Sequence, residues 1–225
     1  MSDSESFIEE VNDEVRRDRL FGLLKRYGWI GGLAVVLIVG GAAWSEFRKA
    51  QSRAEAEALG DAMLMALSSD ENGARMVALQ DVSASNPTGN ALVAMLAAGE
   101  AQRTGDLDIA AQQLDAVASD PEIAEIYRQI ASFKSLTLQG DTMDSGMRRQ
   151  GYEALAMAGS PLRLLAVEQL ALMDVASGAK DAAIARYQSI IEDAAVTSDL
   201  QQRALQVIVA LGGTPDLENL PITGN

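Results

Sequence analysis

Residues 27–45, YGWIGGLAVVLIVGGAAWS, run for nineteen positions without a charge between Arg26 and Glu46. As a helix rising about 1.5 Å per residue the stretch reaches about 28 Å, close to the ~30 Å hydrocarbon thickness of a bilayer. Tyr27 and Trp29 mark one end and Trp44 and Phe47 the other, where amphipathic rings favour the membrane–water boundary. A buried core helix is the competing reading, but core helices seldom combine aromatic edges with charged flanks. A cleaved signal is the other, since Gly40, Gly41, Ala42 and Ala43 imitate a cleavage site. The 26 residues before the span carry seven acids, which is wrong for a signal leader, so an uncleaved anchor over 27–45 is expected.

Basic residues set the expected orientation. Arg16, Arg17, Arg19, Lys25 and Arg26 precede the span, against Arg48, Lys49 and Arg53 after it, which favours a cytoplasmic N-terminus. From Glu46 onward the chain holds 13 basic and 25 acidic residues, a net charge of −12. Anionic headgroups repel such a domain, so it should stand off the lipid, in the periplasm of a bacterial inner membrane. The absence of cysteine fits an oxidising compartment.

Gly28 and Gly32 form a GxxxG pair that lets a second membrane helix approach closely, although small residues are common in membrane helices anyway. Residues 1–26 read as a short amphipathic cytoplasmic helix, with Ser6 and Glu9 at capping-box spacing and Ile8, Val11 and Val15 at helical intervals. Leu20, Phe21, Leu23 and Leu24 carry the apolar character to the bilayer. The tail is then either an interfacial helix with Arg16, Arg17 and Arg19 at lipid phosphates, or a docking site for a membrane partner.

Composition narrows the chemistry. No histidine and no cysteine occur, and the net charge of the whole chain is −14, which argues against a nucleic-acid partner. A nucleophilic serine would need one of only four lysines, Lys25, Lys49, Lys134 and Lys180, as its base. Carboxylates are plentiful but scattered as solvated helix faces. The expectation is a non-catalytic protein with no cofactor, no metal and no small-molecule substrate.

After Glu46 strong helix formers prevail, and turn signals fall at 69–73, 86–89, 104–106, 120–121, 140–141, 159–161 and 177–178. No window alternates with period two. Residues 46–67 are expected to continue the membrane helix. Gly105, Gly140 and Gly178 lie 35 and 38 residues apart, a spacing of two-helix solenoid repeats. In Gly105–Pro121, Gly105 permits the turn, Asp106 caps the second helix, Ala110 is small at a helix crossing, Leu114 fills the core and Pro121 ends the pair. Gly178–Ala194 repeats the scheme with Ala183, Tyr187 and Ile190. The unit at Gly140 departs from it, with Ser145 at the crossing and Arg149 at the large apolar position, and a fainter pair lies near Leu59-Gly60 to Asn86-Pro87. These features match the tetratricopeptide repeat, whose second helix begins Gly-Asp-x-x-x-Ala with an aromatic or Leu four residues on.

The fold expected is therefore all-α: a cytoplasmic tail (1–26), one transmembrane helix (27–45), a degenerate tetratricopeptide-like solenoid (46–211) and a flexible C-terminal tail (212–225). That whole arrangement resembles the YfgM-like proteins of bacterial inner membranes, in their alphaproteobacterial branch. The segments that carry the likeness are FIEEVNDEVRRDRLFGLLKRYGW and SPLRLLAVEQLALMDVASG. The resemblance implies an ancillary subunit of the Sec translocon beside anchored periplasmic chaperones such as the isomerase PpiD. An accessory or assembly subunit of another inner-membrane complex, such as a respiratory one, is the alternative.

Carrying over the ligand-facing positions of the repeat gives Leu92, Met95, Gln102 and Arg103 in the first clear unit. The degenerate unit gives Tyr127, Ile130, Lys134 and Thr137, and the last gives Leu165, Glu168, Leu172 and Val175. A concave face so lined suits extended polypeptide. In a short superhelix the same side chains can instead pack against neighbouring helices. Arg148 and Arg149, following Asp141 and Asp144, read as a solvated turn rather than an anion site.

Overall fold

Alanine, leucine, glutamine and glutamate lose little side-chain freedom in a helix, and the chain after Glu46 is made largely of them. The computed structural model describes residues 3–69, 72–140 and 142–218, with side chains from Trp29 onward apart from Asn72. Among these residues the chain is all-α, with nine helices and no strand. They are α1 (Asp3–Leu67), α2 (Asn72–Gln80), α3 (Pro87–Thr104), α4 (Leu107–Ser119), α5 (Glu125–Leu138), α6 (Ser145–Leu155), α7 (Arg163–Ala176), α8 (Lys180–Ile191) and α9 (Ser198–Ala210). The Ser6–Glu9 cap, the surroundings of Gly28, and Pro221 lie outside the described side chains.

The chain divides into two compact units, Met1–Ala58 and Leu59–Asn225. In the first, residues 29–58 are helical and exposed throughout, with Trp29, Val36 and Ile38 at 68%, 66% and 71%. This helix is long and apolar enough to cross a membrane, and its apolar window is not buried in the protein, so it is no core helix. At its end the Trp44 and Phe47 rings lie 6.4 Å apart and the Arg48 guanidinium sits 5.5 Å from the Trp44 ring centre.

In the second unit every substantial helix packing joins neighbours in sequence, from α2 on α3 through α8 on α9, with α3 also touching α5. The core keeps the same order. Ala66, Leu79 and Ala97 join the end of α1 to α2 and α3, and Ala98, Ala110, Leu114 and Ala131 join α3 to α4 and α5. Tyr152, Leu155 and Leu170 join α6 to α7, and Tyr187, Ile190, Leu200 and Ile208 join α8 to α9. Small residues at the crossings bring backbones close, and the few large side chains each contribute about 1.5–3 kcal/mol on burial.

The glycine turns explain the joints. Gly105 and Gly178 hold φ of 88° and 76°, conformations that side-chain-bearing residues rarely adopt. At each, two amides turn back on the preceding helix. Gly105 N–H donates to the Gln102 carbonyl and Asp106 N–H to that of Ala101, while Gly178 donates to Val175 and Ala179 to Asp174. This pair of bonds satisfies carbonyls that a helix end leaves unpaired. Asp106 itself makes no side-chain cap; its carboxylate instead accepts from the Thr104 hydroxyl at 2.6 Å.

Gly140 is not such a joint, and this corrects the reading of the middle unit. Its φ is not positive, and α6 does not begin until Ser145. Asp144 then caps α6, its side chain accepting from the Gly146 and Met147 amides at 3.0 Å each. Counted from the N-caps Asp106, Asp144 and Ala179, the positions four, eight and eleven on are Ala110, Leu114, Val117; Arg148, Tyr152, Leu155; and Ala183, Tyr187, Ile190. All are buried except Arg148. The large apolar residue is thus Tyr152, not position 149, and Ser145 is exposed.

Residues 212–218, expected as part of a loose tail, are tied to α8. The Gln188 amide donates to the Asp216 carbonyl at 2.9 Å and accepts from the Asp216 N–H at 3.0 Å.

Candidate functional site

Three of the twelve positions expected to face a ligand meet at one place. Gln102 at the end of α3, with Lys134 and Thr137 on α5, lines a cavity of about 210 Å3 whose walls include Ala98, Gly99, Leu114 and Phe133. Phe133 is fixed by an edge-on contact with Tyr152, ring centres 5.7 Å apart. The Thr137 hydroxyl bonds to the Phe133 carbonyl (2.8 Å) and the Tyr152 hydroxyl (3.0 Å). Burial pushes the Tyr152 phenol up in pKa, against the opposing pull of the Thr137 bond and the Arg148 charge. Lys134 is exposed and forms no ion pair among the described residues.

Gly99 is the unexpected member. It sits inside α3, needs no left-handed conformation, and a Cβ added there would meet nothing within 4 Å. A glycine in a helix interior costs about 0.5–1 kcal/mol relative to alanine. Neither backbone nor packing requires it.

The remaining positions are spent elsewhere. Met95 and Tyr127 pack against the α3–α5 core, and Val175 against the α7–α9 core. Leu92 and Ile130 are half-buried, and Leu165 and Leu172 are exposed on α7. Arg103 pairs with Glu100 at 3.0 Å. Glu168 accepts two bonds from Arg203 of α9, at 3.0 and 3.1 Å, and raises the pKa of that guanidinium. In the long apolar helix α1, a Cβ at Gly32 would meet nothing within 4 Å, so that position is bare in the single chain.

The charged residues form joints between helices. Asp174, on the buried side of α7, accepts from Arg149 of α6 (2.8 Å) and Arg186 of α8 (2.7 Å). Burial pushes its carboxyl up, but the bonds and charges of the two arginines outweigh it and hold the group below its ordinary value. Arg149 is therefore not a solvated turn residue. Arg148 reaches the other way and donates to the Gly140 carbonyl. Asp193 is also held low, first by the Ala195 amide and then by Arg163 at 2.8 Å. The Tyr187 phenol is pushed up to about 12 by burial and by the Glu168 carboxylate. Glu100, almost fully buried, lies 3.6 Å from Arg75 of α2. Ser135, also buried, donates to Asp115 of α4 at 2.6 Å and accepts from Gln139 at 2.6 Å.

These joints escape a reading of composition because each acid resembles its solvated neighbours. One signal is present. Asp174 continues the stripe Ala166, Leu170 at four-residue intervals, so an acid falls on the apolar face of its helix.

Among the described residues no three acidic side chains gather as a metal site requires. No protein-family model, curated protein or solved structure matches the chain.

Proposed function

We propose that this chain is a single-pass membrane-anchored scaffold, non-catalytic, whose tetratricopeptide-like solenoid holds protein partners in the periplasm. The observation that carries the reading is an apolar helix with bare side chains in the same chain as a domain of consecutively packed helix pairs. Two left-handed glycine turns, each leading into the same buried pattern, support the repeat. The aromatic–arginine cluster at Trp44, Phe47 and Arg48 supports a membrane boundary there. The basic excess before the span supports a cytoplasmic N-terminus. Tethering raises the effective concentration of partners, so weak contacts suffice. On the resemblance of its tail and late segment, the partners are the Sec translocon and an anchored periplasmic chaperone.

Photocrosslinkers placed at Gln102, Leu172 and Gly32 in intact membranes test the proposal. Adducts with translocon or chaperone components are expected. Adducts confined to a respiratory assembly would move the protein to the alternative complex, and no protein adduct at any position would overturn the scaffold. Protease added to spheroplasts should digest the bulk after Glu46; its survival beside cleaved controls would reverse the orientation.

A further inference from the structure

We infer that the cavity between α3, α4 and α5 is a binding pocket for one Leu- or Phe-sized side chain of an extended polypeptide segment that carries an acidic residue beside it. The inference rests on the scaffold reading and names what the scaffold grips. Three observations carry it. The cavity is about 210 Å3, while one of about 150 Å3 already holds benzene, so a single large apolar side chain fits. Gly99 gives up helix stability at a position where neither φ nor a close neighbour demands glycine, and any larger side chain there would grow into the open space. The glycine is thereby explained as the feature that keeps the pocket open.

Charge complementarity selects the flanking residue. Lys134 is the one charged residue lining the cavity and forms no ion pair among the described residues, in a part of the chain where acids outnumber bases 25 to 13. Most of its basic residues are already committed, as Arg103 is to Glu100, Arg149 and Arg186 to Asp174, and Arg203 to Glu168. The surrounding field repels an acidic peptide, so a preference for one must come from a local contact. The Gln102 amide, beside the same cavity, supplies a donor and an acceptor for the segment's backbone.

The test is fluorescence polarisation on the full chain in detergent, with labelled Gly-Ala-Glu-Leu-Glu-Ala amide as probe. Its versions with Leu replaced by Ala and with both Glu replaced by Gln serve as comparisons. Gly99→Leu should weaken binding of the Glu-Leu-Glu probe by about tenfold or more, a loss typical of filling an anchor pocket. Gly99→Ala, which adds one methyl to the pocket, should weaken binding less than Gly99→Leu, and circular dichroism with thermal melts of both variants checks that they fold. The Glu-containing probe should bind wild type more tightly than the Gln version, and Lys134→Gln should erase that difference. The pocket is wrong if folded Gly99→Leu binds like wild type, or if wild type captures none of the probes. Those results leave the scaffold standing when Gln102 crosslinks to a membrane partner persist in Gly99→Leu. Probe binding without any crosslinked partner would instead retain the pocket and remove the assigned partners.

Discussion

Asp174 is the residue through which one carboxylate ties three helices of the second unit together. It is nearly fully buried and receives two guanidiniums from different helices, so it joins α6, α7 and α8 through one carboxylate. Removing one member of a fully buried pair costs about 3–5 kcal/mol, because the other is left charged and unpaired. Here Arg149 and Arg186 are each about a third exposed and can turn to water, so Asp174→Asn is expected to cost roughly 2–3 kcal/mol. Urea titration of the full chain in detergent, monitored by circular dichroism, measures it. The pH dependence has a definite sign. A carboxyl held low in the folded state stabilises fully above its ordinary value near 4, and that stability is lost as the pH falls through the folded value. Wild type should therefore weaken progressively below about pH 4, with Asp193 adding to the slope, and Asp174→Asn should show a shallower fall.

At the scale of the element, α6 shows how a local reading goes out of register. Spacing from Gly140 places Ser145 and Arg149 at core positions, but the helix starts where Asp144 can cap it, and that start decides which side chains turn inward. The two registers make opposite predictions for Arg149→Leu. If position 149 were a core site the change would stabilise; from the observed pairing it should destabilise by about 1–3 kcal/mol, since Asp174 loses a partner. Asp144→Ala should cost about 1 kcal/mol through the lost cap. Thermal melts of the two variants beside wild type decide the matter, and a gain in melting temperature for Arg149→Leu would refute the assigned register. The joint between α8 and α9 escapes local reading for a related reason. Residues 192–197, EDAAVT, hold no Gly or Pro, and Thr197 begins α9 by accepting from the Leu200 amide at 3.4 Å.

For the whole molecule the proposed membrane span over residues 27–45 is tested by the free energy of placing that helix in lipid. An acid at the centre of a membrane helix costs about 2.5–3.5 kcal/mol, so Val36→Asp should move a measurable fraction of the protein into the alkaline carbonate supernatant. Wild type should stay in the pellet, and its release would remove the anchor. Features that depend on near neighbours are legible in the order of residues alone: the length and apolarity of that helix, most of the breaks, and the buried pattern after Gly105 and Gly178. Apolar periodicity and left-handed glycine are written within a few residues of where they act. The start of α6, the burial of Asp174, and the meeting of three of twelve proposed contact residues at one cavity emerge only once the helices are packed. Whether a charge is solvated or a side chain lines open space depends on helices that pack over it from distant parts of the chain, as Asp174 meets Arg149 across 25 positions. Local spacing carries no record of those partners.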